Sequence, residues 1–489
     1  MLPATRAVSM LARRTRWGGR VLQIALLAAA CPGRANGQAT RPSPAPSPPP
    51  ENLFQDELDL QARSSVVQGS GARAFGMGGA FLARADDATA ASWNPAGLSY
   101  LRRPELSLVW AAASRLNSAT FDQAGVQLVD DRRRGNGPDF LAATYPINLE
   151  RVTGAVQVSF QRVISFDSSR TIEKTTSPTK QVESSGGFDV LAFGTGLQFS
   201  RKLRAGLAVN RWFNGYDQRV EREAGRRAEL TAEFGFGGWN LHAGLIWTPI
   251  ESLNVGLVGK TPFSADVTLS RYRQDVCVDV VTPQECQGIT YTINQYSRDD
   301  LSLDFPGAVG AGLSWRPRSA LTLSADYTRT FWSNGKIHDY FVLKPTKPPD
   351  PPPVPTDDPE TSFDVLPYPT LNDDGQQDTE QARVGIEYVV LSERLKVPLR
   401  VGFFVDKQYL RAGVIVPPVT PGGTPLLLDG EAPRFKGVTA GAGLIVGPML
   451  LDVAYVYEWG EYLDRLEPNR IEVKSHRIYT SIIFRQASR

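Results

Sequence analysis

From Pro104 to the end, the chain repeats one pattern: short segments in which apolar and polar side chains alternate residue by residue. In Met449–Trp459, Leu451, Val453, Tyr455, Tyr457 and Trp459 share one face, and Asp452, Ala454, Val456 and Glu458 share the other. Leu323, Ala325, Tyr327 and Phe331 oppose Thr322, Ser324, Asp326 and Thr328 in the same way. Leu241, Ala243, Leu245 and Trp247 oppose Asn240, His242, Gly244 and Thr248. A period of two with one apolar face is the signature of a β-strand.

Two features separate these strands from those of a soluble sandwich. The less apolar face is rich in Gly, Ser, Thr and isolated charges, as the inside of a barrel would be. Aromatic residues also gather near segment ends: Trp247, Trp315, Trp332, Tyr457 and Trp459. Such girdles mark barrels that cross a membrane. A bilayer leaves no backbone N–H or C=O unpaired, so strands cross it only in a closed barrel. The segments number about fourteen, within the range of outer-membrane barrels. They begin near Glu105, Pro138, Val152, Phe188, Leu203, Ala228, Leu253, Asp300, Leu321, Ala382, Pro398, Gly437, Met449 and Ser475. Trp315–Ser319 and Val446–Pro448 read as short periplasmic turns, and Asp167–Gly187, Tyr272–Asp299, Trp332–Glu380 and Lys407–Phe435 as long external loops. The fold class is therefore an all-β transmembrane antiparallel barrel over residues 104–489.

The N-terminal region has the layout of an export signal. Arg13, Arg14, Arg16 and Arg20 precede a short apolar run, Val21–Ala30, and then small residues. This is the order of a secretory signal peptide, assigned here to 1–37, with a retained anchor as the alternative. TRPSPAPSPPP within 38–50 is an extended linker. Lys+Arg 53 against Asp+Glu 51 leaves no concentrated basic face for nucleic acid. Three His and three Cys offer little for a metal site, and no cofactor is expected. Cys277 and Cys286 flank a short hydrophilic loop; in an oxidising compartment they read as a disulfide or, alternatively, as two free thiols.

Residues 51–103 lack the strand period. GARAFGMGGAFLARADDATAASWNPAGL (Gly71–Leu98) is small and mildly apolar, with glycines at 69, 71, 76, 78 and 79 that permit tight turns and close approach. Asp86-Asp87 reads as the cap of a helical turn starting at Ala88, and Ala85–Ser92 and Phe54–Arg63 as short helical turns. Asn94 before Pro95 favours an extended or turn conformation, with its amide free to bond backbone groups. A barrel of this size leaks unless filled, and this segment is the expected plug.

The same stretch resembles the N-terminal hatch of the FadL/TodX family of outer-membrane transporters of hydrophobic compounds. Asn94-Pro95-Ala96 followed by Gly97 matches that family's hatch motif, after Ala85-Asp86-Asp87-Ala88; Gly71, Gly76, Gly78 and Gly79 fall in the same stretch. The likeness continues in LDFPGAVGAGLSWRP, ARVGIEYVV, PLRVGFFVD and GPMLLDVAYVYEW. It implies a fourteen-stranded barrel plugged by a hatch, monomeric in a Gram-negative outer membrane. It also implies passive uptake of long-chain fatty acids or aromatic hydrocarbons, released sideways at a kink in the third strand. Here the third segment, RVTGAVQVSFQRV, carries Gly154 and no proline.

No enzyme signature stands out. GMGGAF lacks the Lys-Ser/Thr of a phosphate loop, and His242, His338 and His476 lie on separate segments. Arg316, Arg383, Glu387, Arg400 and Asp452 are expected to face the lumen and pair across strands. The alternative role is a FadL-like barrel that binds proteins as an assembly component of a secretion system. An apolar lumen lining favours transport, and a wholly polar, charge-paired one favours assembly.

Overall fold

The computed structural model of the chain describes residues 69–120, 129–148, 152–174, 177–222, 226–277, 293–334, 378–391, 395–408, 413–416, 426–429, 432–463 and 470–486. The expected signal peptide, the linker, residues 51–68 of the expected hatch, His338 and Cys286 lie outside the described residues.

The strands are β1 (Glu105–Thr120), β2 (Val129–Asn148), β3 (Thr153–Ser165), β4 (Ser168–Lys174), β5 (Ser177–Gln198), β6 (Leu203–Arg222) and β7 (Arg226–Ile250). They continue as β8 (Leu253–Lys260), β9 (Phe263–Cys277), β10 (Ile293–Phe305), β11 (Ala308–Arg318), β12 (Leu321–Thr330), β13 (Thr379–Leu391) and β14 (Lys396–Lys407). The last are β15 (Gly413–Val416), β16 (Leu426–Asp429), β17 (Arg434–Val446), β18 (Met449–Leu463) and β19 (Arg470–Arg485). β15 and β16 form a separate hairpin. β3–β4, β8–β9 and β10–β11 are each two halves of one stave, and the rest are single staves, giving a closed antiparallel barrel of fourteen. Closure is by β1, which pairs β2 on one side and β19 on the other, with Glu105 opposite both Thr144 and Arg485. No described helix is long and apolar enough to cross a membrane, which says nothing of a crossing made by strands.

The alternation read from the sequence is the alternation of wall faces. Trp239, Leu241, Val384, Ile386, Val453 and Tyr455 point outward and are exposed, whereas Asp326, Glu387, Asp452 and Glu458 point inward and are buried. Trp247 and Trp315 are outward and half exposed, as girdle residues should be. Trp332 corrects that expectation: it is 5% exposed and its ring centroid lies 6.1 Å from that of Phe305, inside the barrel.

The staves also run farther than the expected segments. Asp167–Gly187, expected as a loop, is mostly the paired strands β4 and β5. Ladder pairing continues there through a largely polar sequence, which has no apolar period to mark it.

Residues 69–101 fold inside the barrel and supply most of its main buried apolar cluster, including Phe75, Phe81, Ala85, Trp93 and Leu98. Their helices are Ala72–Gly76 and Ala90–Trp93, followed by a 3-10 helix at Pro95–Tyr100. Helix therefore starts at Ala90, later than the expected Ala88, and the Ala72–Gly76 helix is an addition. Asp87 acts one turn earlier, its Oδ1 accepting from the Thr89 N–H at 2.9 Å and the Thr89 hydroxyl at 2.6 Å.

Candidate functional site

The hatch meets the wall in three ways. The first is steric. Gly71, Gly78 and Gly79 have φ of 114°, 69° and 77°, values that side chains avoid. Gly76 closes the first helix against Gly441 of the wall, and a side chain on Gly97 would strike the Ala85 carbonyl. The barrel answers with inward glycines: Gly206 and Gly244 face Pro95, Gly256 faces Leu82, and Gly385 and Gly402 face Met77. The glycines inside the apolar segments are thus sockets for the hatch.

The second is hydrogen bonding through Asn94. Its Oδ1 accepts from the Ala96 N–H at 3.1 Å, fixing the turn into Pro95. Its Nδ2 donates to the carbonyls of Leu82 (2.8 Å), within the hatch, and Leu245 (3.2 Å), on the wall. Asp326 on β12 accepts from the N–H groups of Phe81 (2.5 Å) and Leu82 (2.7 Å). Thr439 on β17 bridges Gly76 and Gly78, accepting from the Gly78 N–H at 2.9 Å.

The third is a buried charge network. Glu387 on β13 accepts from Arg400 of the wall at 2.7 Å and pairs with two hatch residues, Arg73 at 3.4 Å and Arg84. Arg400 continues to Asp452 at 2.6 Å, and Arg73 to Asp86 at 2.7 Å. Burial works against the Arg73 charge, yet Asp86, Glu387 and Asp87 outweigh it and raise its pKa above the arginine norm. Arg84 is lowered, by burial first and by the charge of Arg73 next. Of the charges expected to pair inside the lumen, Arg383 meets Asp406 at 2.8 Å and Arg400 meets Glu387 and Asp452. Arg316 is instead exposed at the short-turn end of β11.

On the external side of the hatch, one arc of the lumen is aromatic. Phe188 of β5 stacks on Phe236 of β7 at 4.1 Å, and Phe263 of β9 on Phe305 of β10 at 5.1 Å. Trp212 of β6 stacks on Phe263 at 5.2 Å, with its indole N–H bonded to Asn240 at 2.9 Å. Phe166 and Trp332 extend the cluster at either edge. The opposite arc is polar, carrying Arg383–Asp406 and Glu458–Arg477 pairs. Sequence reasoning missed this cluster because its members are single inward aromatics on five staves that only the register brings together. Where it meets the hatch, Lys260 lines a small cavity with Trp93, Leu82 and Asp326, and it has no carboxylate partner among the described residues.

The third stave is broken. β3 ends at Ser165, β4 begins at Ser168, and Phe166 between them turns fully inward against Phe188. Asp167 accepts from the Gly186 N–H at 2.9 Å and from Arg162 at 2.8 Å, so hydrogen bonds make the bend that a proline would otherwise make. At the same level β2 keeps its pairing with β1 as far as Val129, but its pairing with β3 stops at Phe140. Ser70 of the hatch donates to Asp139, the next residue of β2.

Of the other expected sites, Cys277 ends β9, and Cys286, with which a disulfide is one expectation, lies outside the described residues. Among the described residues no group of His, Cys, Asp or Glu is arranged to hold a metal ion.

The chain matches no protein-family model and no curated protein. Solved structures do match. The CymD monoaromatic hydrocarbon channel aligns over 87% of this chain and 99% of its own at TM-score 0.52 and 13% identity. The chain has the FadL/TodX channel fold. The Pseudomonas putida toluene transporter TodX gives TM-score 0.53 at 13% identity over 87% of this chain and 99% of its own. A Pseudomonas aeruginosa FadL homologue gives 0.55 at 14% over 86% and 99%.

Proposed function

We propose that the protein is a passive channel of a Gram-negative outer membrane that takes up hydrophobic small molecules, with the hatch as its gate. The observation that carries this reading is the aromatic arc from Phe188 to Phe305, placed between the external mouth and the hatch. A barrel that only scaffolds other proteins has no need of an apolar strip inside its lumen, and water-filled pores do not retain one. The matching folds belong to channels for monoaromatic hydrocarbons and toluene. Long-chain fatty acids and aromatic hydrocarbons are the substrate classes this strip suits.

The route runs along the arc to the hatch and leaves through the wall at the β2–β3 seam. Support comes from the Ser70–Asp139 bond, which ties the front of the hatch to the residue where β2–β3 pairing ends; beyond it the Asp167 carbonyl lies beside Gly135 of β2. A shift of the hatch would release the seam.

The test is native mass spectrometry of protein taken from its own membrane in mild detergent. A retained lipophile, lost when Asn94-Pro95-Ala96 is replaced by Gly-Ser-Gly, supports the channel. An empty barrel carrying a stoichiometric protein partner supports the assembly role instead.

A further inference from the structure

The outward face of β14, β17, β18 and β19 changes character in one step near the external rim. The register places Val401, Ala440, Tyr455 and Ile478 in one lateral row, and Phe403, Val438, Tyr457 and His476 in the next. The row above reads Val405, Lys436, Trp459, Lys474; above it stand Lys407 and Arg434, paired in register, and on the next two strands the exposed Glu461 and Glu472, likewise paired. Four cations therefore sit on the upper edge of the apolar band, with Trp459 between two of them. Tyr457 stacks on Trp459 at 5.3 Å, and the Tyr455 hydroxyl meets His476 at 2.7 Å. Lys474 pairs with exposed Glu472 at 2.8 Å. Lys407, Arg434 and Lys436 have no carboxylate partner among the described residues, unlike Arg400, Arg383 and Arg477 inside the lumen.

We propose that this patch binds the phosphorylated sugar headgroup of an outer-leaflet glycolipid. The inference goes beyond transport and needs only the barrel's placement in the outer membrane. Aromatic rings at this height lie at headgroup level, and basic residues beside them recognise anionic headgroups. Lys436 and Lys474 stand two strand spacings apart, about 10 Å, with Arg434 about 7 Å further up its strand. That spread suits one rigid headgroup with two phosphates, each held by a cation or by a bidentate Arg434. A phospholipid with one phosphate spans only one of these positions.

The test uses full-length protein, delipidated in detergent and titrated by native mass spectrometry. The probes are diphosphoryl lipid A, the same lipid with both phosphates removed, and phosphatidylglycerol. Wild type is expected to bind diphosphoryl lipid A at least tenfold more tightly than either other lipid. Lys436→Gln/Lys474→Gln is expected to lose at least that factor while keeping the heat-modifiable gel migration of a folded barrel. Arg318→Gln/Lys396→Gln, at the opposite rim, is expected to bind as wild type does. Equal binding by the first double variant, equal binding of the dephosphorylated lipid or of phosphatidylglycerol, or an equal loss in the opposite-rim variant would each overturn the proposal. Millimolar inorganic phosphate should not displace the lipid; displacement would mean an isolated phosphate site and would also overturn it.

Discussion

Asn94 and Gly244 share one space: the Asn94 carboxamide oxygen lies where a side chain on Gly244 would begin. The hatch is thus seated by what the wall omits as much as by what it offers. Gly244→Ala should unseat the Asn94 turn and break its bond to the Leu245 carbonyl, leaving polar groups unpaired at about 1–3 kcal/mol each. The expected result is a higher single-channel conductance in planar bilayers. Gly259→Ala, where an added carbon meets nothing within 4 Å, should leave conductance as in wild type.

Glu387 is the only carboxylate that pairs with Arg84 among the described residues, whereas Arg400 also has Asp452 and Arg73 also has Asp86. Glu387→Gln should therefore act mainly on the hatch. Breaking one side of a buried pair costs about 3–5 kcal/mol, and the retained amide oxygen should place this variant at the lower end. Hydrogen exchange is expected to rise in Phe81–Ala85 and stay unchanged in β5 and β6. Uniform acceleration throughout the barrel would mean that Glu387 supports the wall and not the gate.

Much of this was legible in the sequence, and the limit has a physical cause. Side-chain alternation reports which face sees lipid, so the faces of Met449–Trp459 and Leu321–Thr328 are read correctly, and so is the number of staves. The glycine-rich, mildly apolar front gives the plug, because a lumen filler must pack closely without long side chains. Register is invisible to periodicity. It alone joins Arg400 to Asp452 across the wall and gathers Phe188, Trp212, Phe263 and Phe305 into one cluster. Trp332 is misplaced for a related reason: an aromatic near a segment end gives the same signal whether it turns to lipid or lumen. The break in the third stave has no proline or glycine at Phe166–Asp167, and the bend is made by Arg162 and Gly186, partners set by folding.

Phe263→Ala/Phe305→Ala removes the stacked pair between Trp212 and the hatch. If the arc conducts substrate, retention of a hydrophobic ligand in native mass spectra should fall about tenfold or more, given 1–3 kcal/mol for each lost aromatic contact surface. The folded-barrel gel shift should persist, since ladder pairing holds the wall. Unchanged retention would move the binding region away from this arc.

The β2–β3 seam gives a test of sideways release that leaves capture intact. Leu141 and Phe160 are register partners on the outward face, one residue below the last β2–β3 pair. Partners in an antiparallel ladder lie within the Cα separation that a disulfide spans, about 4.4–6.8 Å. Leu141→Cys/Phe160→Cys should therefore oxidise to a lock across the seam, reversible by a reducing agent. If the ligand leaves between β2 and β3, oxidised protein in liposomes should still take up a lipophile into the barrel but deliver it to the membrane several-fold more slowly. Reduction should restore the rate. Delivery that is equally fast in both redox states would place the exit elsewhere, and the Ser70–Asp139 bond would then be a fastening of the hatch with no part in opening the wall.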